Sequence, residues 1–313
     1  MNSHETMTMI SPLKTIYRIS GLRWLRWWVV LRWRAIVVPR WRAWKELQHA
    51  RELARLRSGY VFPSGMLNIN DPGIFDNWGE LSKGYEDENL VKGWLKNVRS
   101  YSMVTYDGLL VLSRLVRYCE ENQMVGRFVE TGTWRGGAFT IMAKSSQTWG
   151  DGQRQIWGFD SFEGIPEPDS NVDDVQWSVK EMKVPKDQQK GRLQSVNALV
   201  AAEDEVYKAL KTVGADTTNI KLFKGWFQDT LPRISDDEIG PIALLRLDGD
   251  LYASTMICLE KFEPHVVSGG FIIIDDWGLK GCQQAVVEFY QKKYGRLPML
   301  HFIDDVARYI QKH

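Results

Sequence analysis

The feature that most constrains this chain is a pair of short apolar runs, IALLRL at Ile242–Leu247 and GFIII at 270–274. Runs of this length suit strands better than helices, and both are rich in Ile and Leu. An apolar residue at nearly every position means that both faces are covered, as in a strand inside a parallel sheet. Three further β-like runs, at 126–130, 155–159 and 220–223, alternate with helical patterns. That alternation predicts an α/β fold, a mostly parallel sheet flanked by crossover helices. A helix is predicted over 282–294, then strands at 299–303 and 306–310 that would form a closing antiparallel hairpin about Asp304 and Asp305.

The charge divides the 313 residues unequally. Residues 1–60 hold twelve Lys or Arg against three Asp or Glu, a local charge of +9, and six of the fourteen tryptophans. The rest carries 28 basic and 36 acidic residues, or −8, so a basic arm precedes an acidic body. We divide the chain into this Trp-rich arm (1–60), a helical approach or cap (61–120) and an α/β core (121–313). Within the core, the span 163–219 is too long for a simple crossover and is read as an insertion that acts as a lid. Pro39 breaks the arm, Trp41, Trp44, Leu47, Ala50 and Leu53 follow at helical spacing, and Pro63 to Gly73 mark a loop.

Arg23, Arg26, Arg32 and Arg34 interrupt the apolar stretch 22–38. Each costs ~2.5–3.5 kcal/mol at a bilayer centre, so no spanning helix is expected. The arm instead suits peripheral contact with an anionic membrane through residues 20–58, or packing in a homo-oligomer. Nucleic acid is disfavoured, because an acidic cleft repels phosphates. Cys119, Cys258 and Cys282 form no CxxC pair, which argues against zinc and fits a cytoplasmic protein, peripheral at the inner face of the membrane if the arm binds there.

Two clusters carry chemistry. In RFVETGTWRGGAFTIMAKSS a strand leads through a glycine turn into a helix, with Glu130 at the strand's end and Gly132, Gly136 and Gly137 in the turn. Glycine there permits a sharp turn and close approach to a ligand. Thirty residues on, Asp160 and Ser161 follow the second strand, where an acid can accept two ribose hydroxyls. Because an acid immediately precedes the turn, a cationic cofactor fits better than a pyrophosphate, which shifts the reading from a nicotinamide oxidoreductase toward S-adenosylmethionine. Trp226 and Phe227, after the third strand, would stack on adenine or pack the core.

The second cluster is LLRLDGDLYAST with IIIDDWG, which puts Asp248 and Asp250 after the fourth strand and Asp275 and Asp276 after the fifth. Neighbouring parallel strands bring their C-terminal ends together, where α/β ligands bind. Four carboxylates in one cleft repel one another unless a cation or protons neutralise them. All are hard oxygen donors without His or Cys, which favours Mg²⁺. The cation would chelate two substrate hydroxyls, and a spare carboxylate would act as general base.

The motifs FVETGTWRGG, FDSFEGIPEPD, KGWFQDTLP, LRLDGDLYAST and IIIDDWG, in this order, resemble the macrocin O-methyltransferase type of sugar O-methyltransferases. The resemblance covers about 100–295 and implies a Rossmann-like class I methyltransferase fold, with a seven-stranded sheet containing one antiparallel strand. It implies S-adenosylmethionine and Mg²⁺ as cofactors and a deoxysugar hydroxyl of a glycosylated metabolite or glycan as acceptor. Carried across by motif, Asp248, Asp275 and Asp276 would be metal ligands and Asp250 the base, while Glu130 and Asp160 would contact the cofactor. His301 remains an alternative base, and the arm stands outside the resemblance. An RNA methyltransferase that captures its substrate with the arm is the rival reading.

Overall fold

The computed structural model describes residue 84, residues 86–173, residue 195 and residues 199–313. The arm, the loop at 63–73 and much of the expected lid lie outside the described residues. The helical approach is represented by α1 (Glu88–Val98) and α2 (Tyr106–Glu121). Helix α2 begins at Thr105, whose hydroxyl accepts the Gly108 N–H at 2.9 Å and so satisfies one free amide of the first turn.

The core then runs β1 (Arg127–Thr131), α3 (Gly137–Trp149), β2 (Ile156–Asp160), α4 (Glu203–Thr212), β3 (Ile220–Lys224) and β4 (Ile242–Leu247). It continues with α5 (Tyr252–Phe262), β5 (Val266–Ile274), α6 (Lys280–Tyr294), β6 (His301–Phe302) and β7 (Arg308–Gln311). These strands form one seven-stranded sheet in the order β3-β2-β1-β4-β5-β7-β6. β1 to β5 are mutually parallel, and β7 runs against both β5 and β6. The order reverses between β1 and β4, and such a switch point opens a crevice at the carboxyl ends of the strands.

Alternation along each strand splits the core in two. Phe128, Leu244, Phe271 and Ile273 pack with α1, α2 and α3 on one face. Val129, Leu245, Leu247, Ile272 and Ile274 pack with α5 and α6 on the other. The sheet is therefore covered on both sides, as the apolar runs required.

Three strands differ from expectation by two residues or more at their starts, and β6 keeps only His301–Phe302 of the expected 299–303. β5 starts at Val266 rather than 270, because a register shift against β4 absorbs residues around Gly269, whose φ is +82°. β7 starts at Arg308 rather than 306, because Asp304 Oδ1 takes the amides of Val306 and Ala307 at 2.8 and 2.7 Å and closes the turn first.

Candidate active site

The site grows from that alternation. On the face that packs against α1–α3, the column Leu244, Arg246, Asp248 changes from apolar to charged toward the carboxyl end of β4. Glu130 follows Phe128 on β1, and Asp275 follows Ile273 on β5. Parallel pairing sets Glu130 directly beside Arg246. The backbones lock the strand ends together, with Asp248 N donating to Thr131 O and Asp275 N to Leu247 O, both at 2.9 Å.

Oxygens of Asp248, Asp275 and Asp276 lie within 4.8 Å of one another, a spacing that can hold a metal ion. Asp250 stands next to them but outside this trio. It follows Asp248 beyond the strand, because β4 ends at Leu247 and the chain bends. Asp250 takes a left-handed φ of +58° and donates its N–H to Asp276 Oδ2 at 2.8 Å. Such a conformation in a residue with a Cβ costs on the order of 1 kcal/mol and is held only where its surroundings require it.

Crowding shows in the proton affinities. Burial, reinforced by Asp248 and Asp275, pushes Asp250 up to about 8. Burial also lifts Asp276 well above the usual carboxylate range, with Asp250 and Asp248 adding repulsion. Asp275 is raised to about 6 by burial, against the pull of Arg246.

Arg246 escaped the sequence reading, which took IALLRL as nearly uniformly apolar and gave its one arginine no role. The residue is 1% exposed. Nη1 lies 2.8 Å from Glu130 Oε1 and 2.8 Å from Asp248 Oδ2, and Nη2 lies 2.7 Å from Asp275 Oδ1. A lone arginine in a strand covered on both faces was the available signal, since a buried charge demands partners.

Glu130 lies one residue before the end of β1, close to the turn. Glu130 is wholly buried, burial pushes it up to about 8, and its Oε2 has no partner. Asp160 is oriented by two amides, Trp134 N on Oδ2 at 2.8 Å and Phe162 N on Oδ1 at 2.6 Å. Both donors, Trp134 and Phe162, have left-handed φ, +47° and +53°. Three of the five such non-glycine residues among the described residues thus surround this crevice.

The glycines answer to the protein. A Cβ on Gly132 would sit 1.6 Å from Asp248 O, one on Gly136 would meet Val206, and one on Gly137 would meet Ser102. Close packing against the residue after β4, α4 and the α1–α2 connection is thus one reason for glycine at these three places. Ser161 uses its hydroxyl within its own loop, donating to Gly164 O at 2.7 Å. Trp226 is 5% exposed with Nε1 unpartnered, and Phe227 packs against the second core beside Gly249. His301 stacks on Tyr309 with ring centroids 4.6 Å apart, on the edge strand three places from β4.

Asp173 was also missed. Its Oδ1 accepts the Tyr252 N–H at 2.8 Å, and a Cβ on Gly281 would lie 1.9 Å from that oxygen. The first part of the insertion is thereby fastened where α5 and α6 begin, next to the acidic loops.

A family profile described as Macrocin-O-methyltransferase (TylF) matches residues 80–312. Over 196 residues the chain is 37% identical to the 8-demethyl-8-(2,3-dimethoxy-alpha-L-rhamnosyl)-tetracenomycin-C 4'-O-methyltransferase of Streptomyces olivaceus, covering 61% of this chain and 69% of that one. Over 247 residues it is 31% identical to the demethyldecarbamoylnovobiocin O-methyltransferase of Streptomyces niveus, covering 77% of this chain and 87% of that one. The solved structure of the O-methyltransferase NovP aligns with a TM-score of 0.54 at 31% identity, covering 68% of this chain and 82% of that one.

Proposed function

The chain belongs to the macrocin O-methyltransferase family, and from that premise we propose that it transfers the methyl group of S-adenosylmethionine to a hydroxyl of a sugar-bearing metabolite or glycan, with Mg²⁺. The observation that carries this reading is the meeting of Asp248, Asp275 and Asp276 within 4.8 Å, beside Asp250. The donor set fits the ion. All of its atoms are carboxylate oxygens, and their charge exceeds that of the single guanidinium among them. Asp248, Asp275 and Asp276 would hold Mg²⁺, which when bound supplies Lewis acidity that makes a neighbouring sugar hydroxyl easier to deprotonate.

Asp250 accepts the hydroxyl proton on a carboxylate oxygen. Its raised proton affinity suits a base working near neutral pH. Asp160 keeps a lone pair on each oxygen for the ribose hydroxyls of the cofactor, its orientation fixed by the amides of Trp134 and Phe162. Glu130 Oε2, a buried acceptor with no partner, fits the α-ammonium group of the same cofactor. These residues hold donor and acceptor in one orientation, which supplies much of the rate.

Calorimetry with adenosylhomocysteine, with and without Mg²⁺, tests the cofactor site. Labelled methyl transfer to a panel of rhamnosides and other deoxysugar glycosides tests the acceptor. Binding together with EDTA-sensitive labelling is expected. Binding without labelling of any glycoside would overturn the acceptor class, and absence of binding would overturn the whole reading. Neither an RNA acceptor nor a nicotinamide cofactor gains support from an acid-lined crevice in a methyltransferase.

The arm enters the proposal as a peripheral membrane contact through residues 20–58, suited to a glycan substrate held near a bilayer, and self-association is its alternative role. Among the described residues no helix is long and apolar enough to cross a membrane. Deleting residues 1–58 should abolish flotation with anionic liposomes, and unchanged flotation rejects the contact.

A further inference from the structure

Arg246 joins the two halves of the crevice. Its guanidinium donates a hydrogen bond from Nη1 to Glu130 and stands within ion-pair distance of one oxygen each of Asp248 and Asp275, so carboxylates from three different strand ends meet it. Glu130 gives Oε1 and keeps Oε2 free of any partner. Asp248 gives Oδ2 and Asp275 gives Oδ1, and these two belong to the trio that meets within 4.8 Å. The side chains of Asp248 and Asp275 remain 24% and 15% exposed, so each still faces the crevice. A planar guanidinium spreads its charge over two terminal nitrogens and so lies close to three carboxyl groups at once, which a compact ammonium does less readily.

Resting on the functional reading above, we propose that Arg246 is a positioning residue that couples the cofactor half of the site to the cation half. It fixes Glu130 with one oxygen free for the cofactor, and it fixes Asp248 and Asp275 with their remaining oxygens turned to the cation. Arg246 itself touches neither ligand. Its loss therefore weakens both at once, although the two sets of acids lie on different strands. Partners that orient metal ligands commonly contribute 10- to 100-fold to metal affinity.

The test uses the full-length chain and two binding readouts, independent of turnover. Mn²⁺ binding is followed by loss of the free-ion paramagnetic resonance signal, and adenosylhomocysteine binding by calorimetry. Arg246→Lys keeps a cation but removes the planar guanidinium, and both affinities are expected to fall about tenfold or more. Arg154→Met, which removes a nearly buried arginine from the other end of the sheet, should leave both unchanged in the folded protein. Glu130→Gln provides a second route if Arg246→Lys does not fold. Freed of one partner, Arg246 competes harder for Asp248 and Asp275, so Mn²⁺ affinity should fall several-fold although Glu130 is no ligand in the trio.

Wild-type affinity for both ligands in Arg246→Lys, or unchanged Mn²⁺ affinity in Glu130→Gln, overturns the coupling alone. A wild-type chain that takes up neither Mn²⁺ nor adenosylhomocysteine overturns the functional reading and the coupling with it.

Discussion

Two arginines withdrawn from water stand at opposite ends of this sheet, and their surroundings differ in charge balance. Arg154, just before β2, pairs through Nε and Nη2 with both oxygens of Glu120 at 2.7 Å. Its Nη1 donates to the carbonyls of Met124, at 2.9 Å, and Gly126. One cation meets one carboxylate, and the remaining contacts are neutral. Arg246 meets three carboxylates, with Asp250 and Asp276 close by. The first arrangement is closed and holds the amino ends of β1 and β2 to α2. The second leaves an excess of negative charge in a crevice, which is where a cation belongs. Burial of an arginine thus says little by itself, and the balance of charge around it separates a brace from a site.

The largest effect that would break this contrast is at Asp250. Asp250→Asn should lower kcat about 10²- to 10⁴-fold in single-turnover methyl transfer while adenosylhomocysteine still binds. A normal rate would mean that the base lies elsewhere. At the closed end, Arg154→Met strands Glu120 and should cost about 3–5 kcal/mol in urea unfolding. Methyl transfer per folded molecule should not change, and a lost activity there would erase the distinction between the two ends.

The pH response sharpens the comparison. Glu130, Asp250 and Asp275 all have folded values raised above the usual carboxylate value of about 4. Groups shifted in this direction contribute stability that is fully present below about pH 4 and is lost as pH rises through their folded values, about 6 for Asp275 and about 8 for Glu130 and Asp250. The metal-free protein should therefore weaken across that window. The rise in Tm given by saturating Mg²⁺ should be larger at pH 8.5 than at pH 5.5, and equal rises would remove the charge excess from the account. The smallest effect is expected at Trp226. Trp226→Phe removes a buried indole N–H that has no partner, so stability should stay within about 1 kcal/mol and adenosylhomocysteine affinity within about threefold. A large loss of affinity would give that indole a direct role in the cofactor site.

Most of the strands were legible because their signal is local. IALLRL and the run ending in III had to be covered on both faces, and acids placed directly after them had to meet if the strands were neighbours. The span of β4 was read in full. The early start of β5 was not legible, because a bulge depends on the partner strand and leaves no pattern in its own residues. The short β6 was overextended for a similar reason, since apolar residues such as Met299 turned out exposed at 72%.

The sequence by itself determined the alternation of strands and helices, the order of the motifs and the presence of four acids at two strand ends. Only the tertiary structure decided which oxygens face one another. Register brought Glu130 beside Arg246 from 116 residues away, and a left-handed bend turned Asp250 out of the trio that Asp248 forms with Asp275 and Asp276. Patterning acts over a few residues and sets local structure. Ion pairing in a buried crevice falls off over a few ångströms, so it depends on how distant segments are finally aligned.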